Sequence, residues 1–166
     1  SLTLFRFQKK TAEGAMEQVS DEQLFQALDQ EMNSIAIMVK HMAGNMRSRW
    51  TDFLTSDGEK PNRNRDSEFE APPATREDLM RMWAVVFNAL EPLSDSDLTR
   101  KITIRGEPHS VMQAINRQIA HYGYHCGQIV FLAKHFKADG WKSLSVPRNK
   151  SAEFNARVVA GEASQR

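Results

Sequence analysis

At 166 residues the chain is long enough for one domain with a buried core. Its composition, 40% hydrophobic and 26% charged with a net charge of +1, gives no general attraction to nucleic acid or to an anionic membrane. No apolar run approaches the roughly 20 residues of a bilayer span, and the single cysteine, Cys126, excludes an internal disulfide and fits a reducing, cytoplasmic compartment.

From the N-terminus, "SLTLFRFQKK" carries charges near its start and no small-residue cleavage site, so it does not read as a signal peptide. The spacing of Leu4, Phe5, Ala12, Ala15 and Met16 predicts a first helix over 2–19. Ser20 and Gln23 form a capping-box pattern that opens a short helix or turn. A second long helix is expected over 34–54, with Ile35, Met38, Met42, Met46, Arg49 and Phe53 on one stripe and His41 at its edge. The methionines of that stripe sit at core spacing, not in a soft-metal box. Gly58, Pro61, Pro72 and Pro73 then mark a long loop, and loops of this length inside a compact domain are often functional. Thr75 caps a third helix with Glu77 and Asp78 in its first turn, where the dipole favours acids. "RKITIRGEPHS" alternates and reads as a short extended segment. Ser110 and Gln113 make a second capping box, starting a helix that runs to about Lys137. The whole is expected to be a single all-α domain over 1–166, a four-helix bundle with long loops and a loosely ordered tail from about 150.

Three of the five histidines fall in that last helix. At about 100° per residue, His121 lies about 40° from His125, and Ala114, Ile129 and Leu132 fall within about 40° of the same line. Both imidazoles therefore sit on the inward stripe. They are either hydrogen-bonded core histidines or two ligands of one ion, since residues four apart share a helical face. A third ligand would come from a facing helix, where His41 is the natural candidate. His109 precedes the helix in a Pro-containing turn, and His135 falls off the stripe. Cys126 points about 100° from His125 and reads as a small buried residue rather than a ligand or nucleophile.

The run "HYGYHCGQIVFLAKHF", with "SIAIMVKHMAGNMRSRWTDFLTSDGEKPNRNRDSEF" upstream, resembles the DinB/YfiT-like superfamily of metal-dependent proteins, and within it a bacterial branch of unknown function. The telling signs are His121 and His125 followed by Gly127, Gln128 and Ile129, and a histidine, His41, in the second helix. The resemblance implies an up-down-down-up four-helix bundle, a metal held by His41, His121 and His125, and a homodimer. Zinc or nickel are the first expectations for the ion, then iron; three imidazoles do not choose among them.

Around these ligands, Asn45 lies one turn from His41 and Gln128 can hold a ligand imidazole. Arg63 and Arg65, in the polar run 62–66, would grip an anionic substrate group if the loop covers the bundle mouth. No inward carboxylate accompanies the triad on either long helix. By resemblance, the function is that of a metal-dependent enzyme, a transferase using a low-molecular-weight thiol of the bacillithiol kind or a hydrolase. The competing reading is a non-catalytic dimeric metal-binding or stress-response protein. Direct nucleic-acid binding finds no support in the balanced charge.

Overall fold

Single side chains start several of the helices. Ser110 Oγ accepts from the Gln113 amide at 3.1 Å, and Gln113 Oε1 accepts from the Ser110 amide at 2.8 Å. Ser20 and Gln23 repeat the arrangement. Each box satisfies donors that a helix N-terminus otherwise leaves orphaned. In the computed structural model of the protein, which describes residues 2–84 and 93–164, they open α5 (Val111–Lys137) and α2 (Asp21–Phe25). Ser34 caps α3 (Ile35–Trp50) by accepting from the Ile37 amide, and Thr75 does the same for Asp78 at the head of α4 (Arg76–Ala84). The second half of the third expected helix, 85–92, lies outside the described residues.

With α1 (Leu2–Met16) and α6 (Ser151–Val159), the described residues are mostly helical, with one two-stranded sheet. None of these helices is long and apolar enough to cross a membrane. The core lies where α1 and α3 pack on α5, around Phe5, Met16, Met42, Met46, Tyr122 and Ile129, all buried. Phe5 meets Trp50 edge-on and tilts against Tyr122, with centroids 6.3 and 5.6 Å apart, tying the three helices together.

The segment read as extended is a hairpin. β1 (Lys101–Ile104) pairs antiparallel with β2 (Glu107–Ser110), with Ile104 opposite Glu107. Its two-residue turn puts Arg105 and Gly106 at φ 55° and 76°, the left-handed pair that tight hairpins need. Asp57 holds that turn from outside, its carboxylate oxygens accepting from the Arg105 and Gly106 amides at 2.8 and 2.9 Å. The Gly58 amide donates to Thr103 O at 2.8 Å.

The loop after α3 is therefore anchored, not free. Lys60 N donates to Ser48 Oγ at 2.9 Å, and Ser48 Oγ donates to Gly58 O. Further along, Lys40 Nζ donates to the carbonyls of Ser67 and Ala71. These bonds fold the loop back along α3, and the short 3-10 turn Asp66–Phe69 lies against it.

Gln18, just beyond α1, and Lys142 exchange side-chain and backbone hydrogen bonds at 2.7 and 3.0 Å, holding the chain after α5 to the end of α1. A nine-residue helix, α6, then follows.

Candidate metal centre and its charged surround

Helical spacing brings His121 and His125 to one side of α5, and the packing of α3 on α5 brings His41 to meet them. His125 Nε2 lies 3.1 Å from His121 Nε2, and His41 Nε2 lies 3.4 Å from the same atom. Each of the three rings offers one ligand atom, and these atoms all fall within 4.8 Å of one another. His41 is buried, while His121 and His125 are half-buried.

The other ring nitrogens decide where the protons sit. His41 Nδ1 donates to Glu68 Oε2 at 2.8 Å, and His125 Nδ1 donates to Gln128 Oε1 at 2.8 Å. The orientation of the Gln128 amide is set by its nitrogen donating to Tyr124 Oη. In the neutral rings, Nε2 of His41 and of His125 therefore presents a lone pair toward His121. One proton on His121 could satisfy only one of them.

That arrangement suits a cation. Two nitrogens bound tetrahedrally at 2.0–2.1 Å stand about 3.3 Å apart, and the 3.1 and 3.4 Å separations straddle that value. Holding the far nitrogen of a ligand histidine with a carboxylate or amide fixes its ring and raises its basicity. The donor set thus fits a divalent metal with three imidazole ligands.

Burial keeps the His121 and His125 rings neutral. Burial, then repulsion from His125 and His41, lowers His121 to a pKa of about 4. Burial also lowers His125, against the support of Gln128. Both rings are ready to give lone pairs at neutral pH. In the metal-free protein the unfolded chain, with histidines near 6.5, takes up protons that the folded chain refuses. Stability is therefore expected to fall as pH drops from about 6.5 toward 4. Between pH 7 and pH 5 the His121 contribution is about 1 kcal/mol, after allowance for the partial exposure of the ring. Urea denaturation at the two pH values measures it, and His121→Gln should flatten the difference; an equally steep loss in that variant would show that the slope comes from elsewhere.

Glu68 is a residue that the long helices do not reveal. It reaches the site from the 3-10 turn of the loop and is 6% exposed. Burial pushes its carboxyl up, but hydrogen bonds from His41 and Arg63 outweigh this and hold it below the usual range. Arg63 Nε and Nη2 bind its two oxygens at 2.8 Å each. Gly44, on α3, makes the approach feasible: a Cβ there would lie 2.2 Å from Glu68 Oε1. The Phe69 ring tilts over His41 at 4.5 Å between centroids, closing that side.

The remaining candidates fall as follows. Asn45 is buried and accepts from Gln118 Nε2 at 2.6 Å and from Tyr122 Oη at 3.4 Å, lining the cleft beside His41 and His121. Gln128 holds His125. Arg63 spends its donors on Glu68 and on Glu59, the latter at 3.1 Å. Arg65 stacks over Phe69 at 5.0 Å and pairs loosely with Asp66 at 3.8 Å. His109 bonds the Glu107 carbonyl, and His135 sits exposed against Phe136. Cys126 turns to α1, where its thiol faces Gln8 O at 3.5 Å and burial pushes its pKa to about 12. It is no nucleophile at neutral pH.

Two cavities flank this group. One, of about 180 Å³, is lined by His41, His121 and several arginines. The other, of about 380 Å³, is lined by Met32, Met38, Tyr124, Phe131 and Leu132 and meets the histidine group through Gln128.

Comparison with curated proteins and with solved structures finds no match to the chain. A family model described as a protein of unknown function, DUF1572, matches residues 1–150. A match of that extent, spanning every residue of the histidine group and the loop that serves it, makes the chain a member of the DUF1572 family.

Proposed function

We propose that the protein is a metal-dependent enzyme whose divalent ion, zinc or nickel before iron, is held by His41, His121 and His125, and that it belongs with the DinB/YfiT-like bundles. The observation that carries this reading is the convergence of three Nε2 atoms, two of them with their opposite nitrogens held by Glu68 and Gln128. A bound cation with an open position would supply Lewis-acid activation of a water or a thiol.

The chain's own groups favour transfer to a thiol over hydrolysis. Hydrolysis calls for a base to take a proton from water. Glu68 is spoken for, with both oxygens bonded to Arg63 and one also to His41. Glu59 faces three arginines, and Asn45 and Gln118 are amides too weakly basic to take a proton from water. A low-molecular-weight thiol, more acidic than water, loses its proton near neutral pH without such a base. In this reading Glu68 and Gln128 orient rings, Phe69 excludes water from the His41 side, and the arginine-lined cleft admits the reactants. A cytoplasmic homodimer is part of the same proposal.

The test is conjugation of a chromogenic electrophile with cysteine, glutathione, bacillithiol and mycothiol, with and without a chelator. Thiol-dependent turnover is expected that chelation and His41→Ala each reduce at least about 100-fold, an outer-ligand loss alone being worth 10–100-fold. Activity indifferent to both treatments would end the metalloenzyme reading. A sharp drop in melting temperature on chelation, with no turnover to lose, would instead identify a structural ion.

A further inference from the structure

Five arginines line the smaller cavity: Arg49 from α3, Arg63 and Arg65 from the loop, Arg105 from the hairpin turn and Arg117 from α5. Four separate parts of the chain thus deliver like charges to one cleft of about 180 Å³. The nearby acids do not balance them. Glu68 is committed to Arg63 and His41. Glu59 alone faces Arg63 at 3.1 Å, Arg105 at 3.4 Å and Arg49 at 3.6 Å. Asp57 spends its oxygens on backbone amides of the hairpin turn and of Glu59, and Asp66 is an exposed partner of Arg65.

Arg49 carries the clearest deficit. It is 3% exposed, yet its Nε and Nη1 have no hydrogen-bond partner among the described residues. Burial lowers its pKa in spite of Glu59, and Arg117 and Arg63 push the same way. A buried cation with open donors is costly unless something meets it. Arg117, at the exposed side of the cleft, forms no salt bridge among the described residues.

We infer that this cleft is an anion subsite, in which Arg105 and Arg117 grip a carboxylate or phosphate group of a small-molecule substrate over the buried charge of Arg49. Guanidinium forks suit both groups, and low dielectric strengthens the grip. Because His41 and His121 form one wall, an anion seated there leaves the rest of its molecule beside the three imidazoles. The inference names a substrate class for the proposed site; that the bound group belongs to a reactant rests on the metalloenzyme reading, whereas anion binding itself does not.

The 166-residue chain should be titrated calorimetrically with inorganic phosphate and with succinate at constant ionic strength, metal-loaded and after chelation. Saturable binding of at least one probe is expected in both states, weakened at least tenfold in Arg105→Gln/Arg117→Gln, whose side chains are exposed enough to leave the fold intact. Arg49→Gln should lose it as well if circular dichroism shows it folded. Retention of binding in the chelated protein would stand even if the metal reading failed. No saturable binding, binding unchanged in the double variant, or binding seen only with metal present would each overturn the subsite. The preferred probe then separates phosphorylated from carboxylated substrates.

Discussion

A His121→Ala/His125→Ala double variant is expected to retain less than about a tenth of the metal held by the wild-type protein. Two of three donors vanish, and at neutral pH an imidazole site depends on the lone pairs that these rings keep free. Helical circular dichroism should persist, because neither ring belongs to the apolar cluster packed between α1, α3 and α5. Metal analysis of untagged protein by mass spectrometry gives the answer. Equal metal content in variant and wild type would remove the histidine group as the binding site.

The second large effect is expected at a glycine. In an ordinary helix, Gly→Ala gains about 1 kcal/mol. At Gly44 the added methyl would lie 2.2 Å from Glu68 Oε1 and 2.6 Å from its Cδ, closer than atoms can stand. Glu68 would have to withdraw, and with it would go two contacts from Arg63 and one from His41. Charge-assisted hydrogen bonds of this kind are worth about 1.5–3 kcal/mol each. Gly44→Ala should therefore lose about 2–4 kcal/mol net, a fall of roughly 5–15 °C in Tm. Its metal affinity should drop about 10–100-fold as His41 loses its anchor. Gly127→Ala is the matched control, since a Cβ there meets nothing within 4 Å. A Gly44→Ala protein as stable as that control would mean that Glu68 does not sit against α3 as described.

How far the sequence leads depends on whether a contact is local. The capping boxes at Ser20 and Ser110 are local, and both helices begin where those patterns place them. The pairing of His121 with His125 follows from one helix's own periodicity, and the meeting with His41 needs only that α3 packs on α5. Glu68 is different. Its position depends on Lys40, Ser48 and Asp57 folding a loop back along α3, and no periodicity encodes that. Looking for a carboxylate only on the long helices misses it; the gap at Gly44, a glycine inside a helix, is the one trace it leaves in the sequence. Arg49 was in plain view, an arginine on a stripe of methionines and isoleucine, yet only the convergence of loop, hairpin and α5 turns it into part of a cationic cleft. The helix α6 lies beyond what the apolar spacing of the tail signals, since only Phe154 and Val158 of its nine residues are even half-buried.

The most direct measurement is the metal-edge X-ray absorption spectrum of the protein purified without a tag. Three imidazole nitrogens at about 2.0–2.1 Å, falling to two in His41→Ala, are expected. A spectrum without histidine scattering, or one that His41→Ala leaves unchanged, would contradict a metal held between α3 and α5.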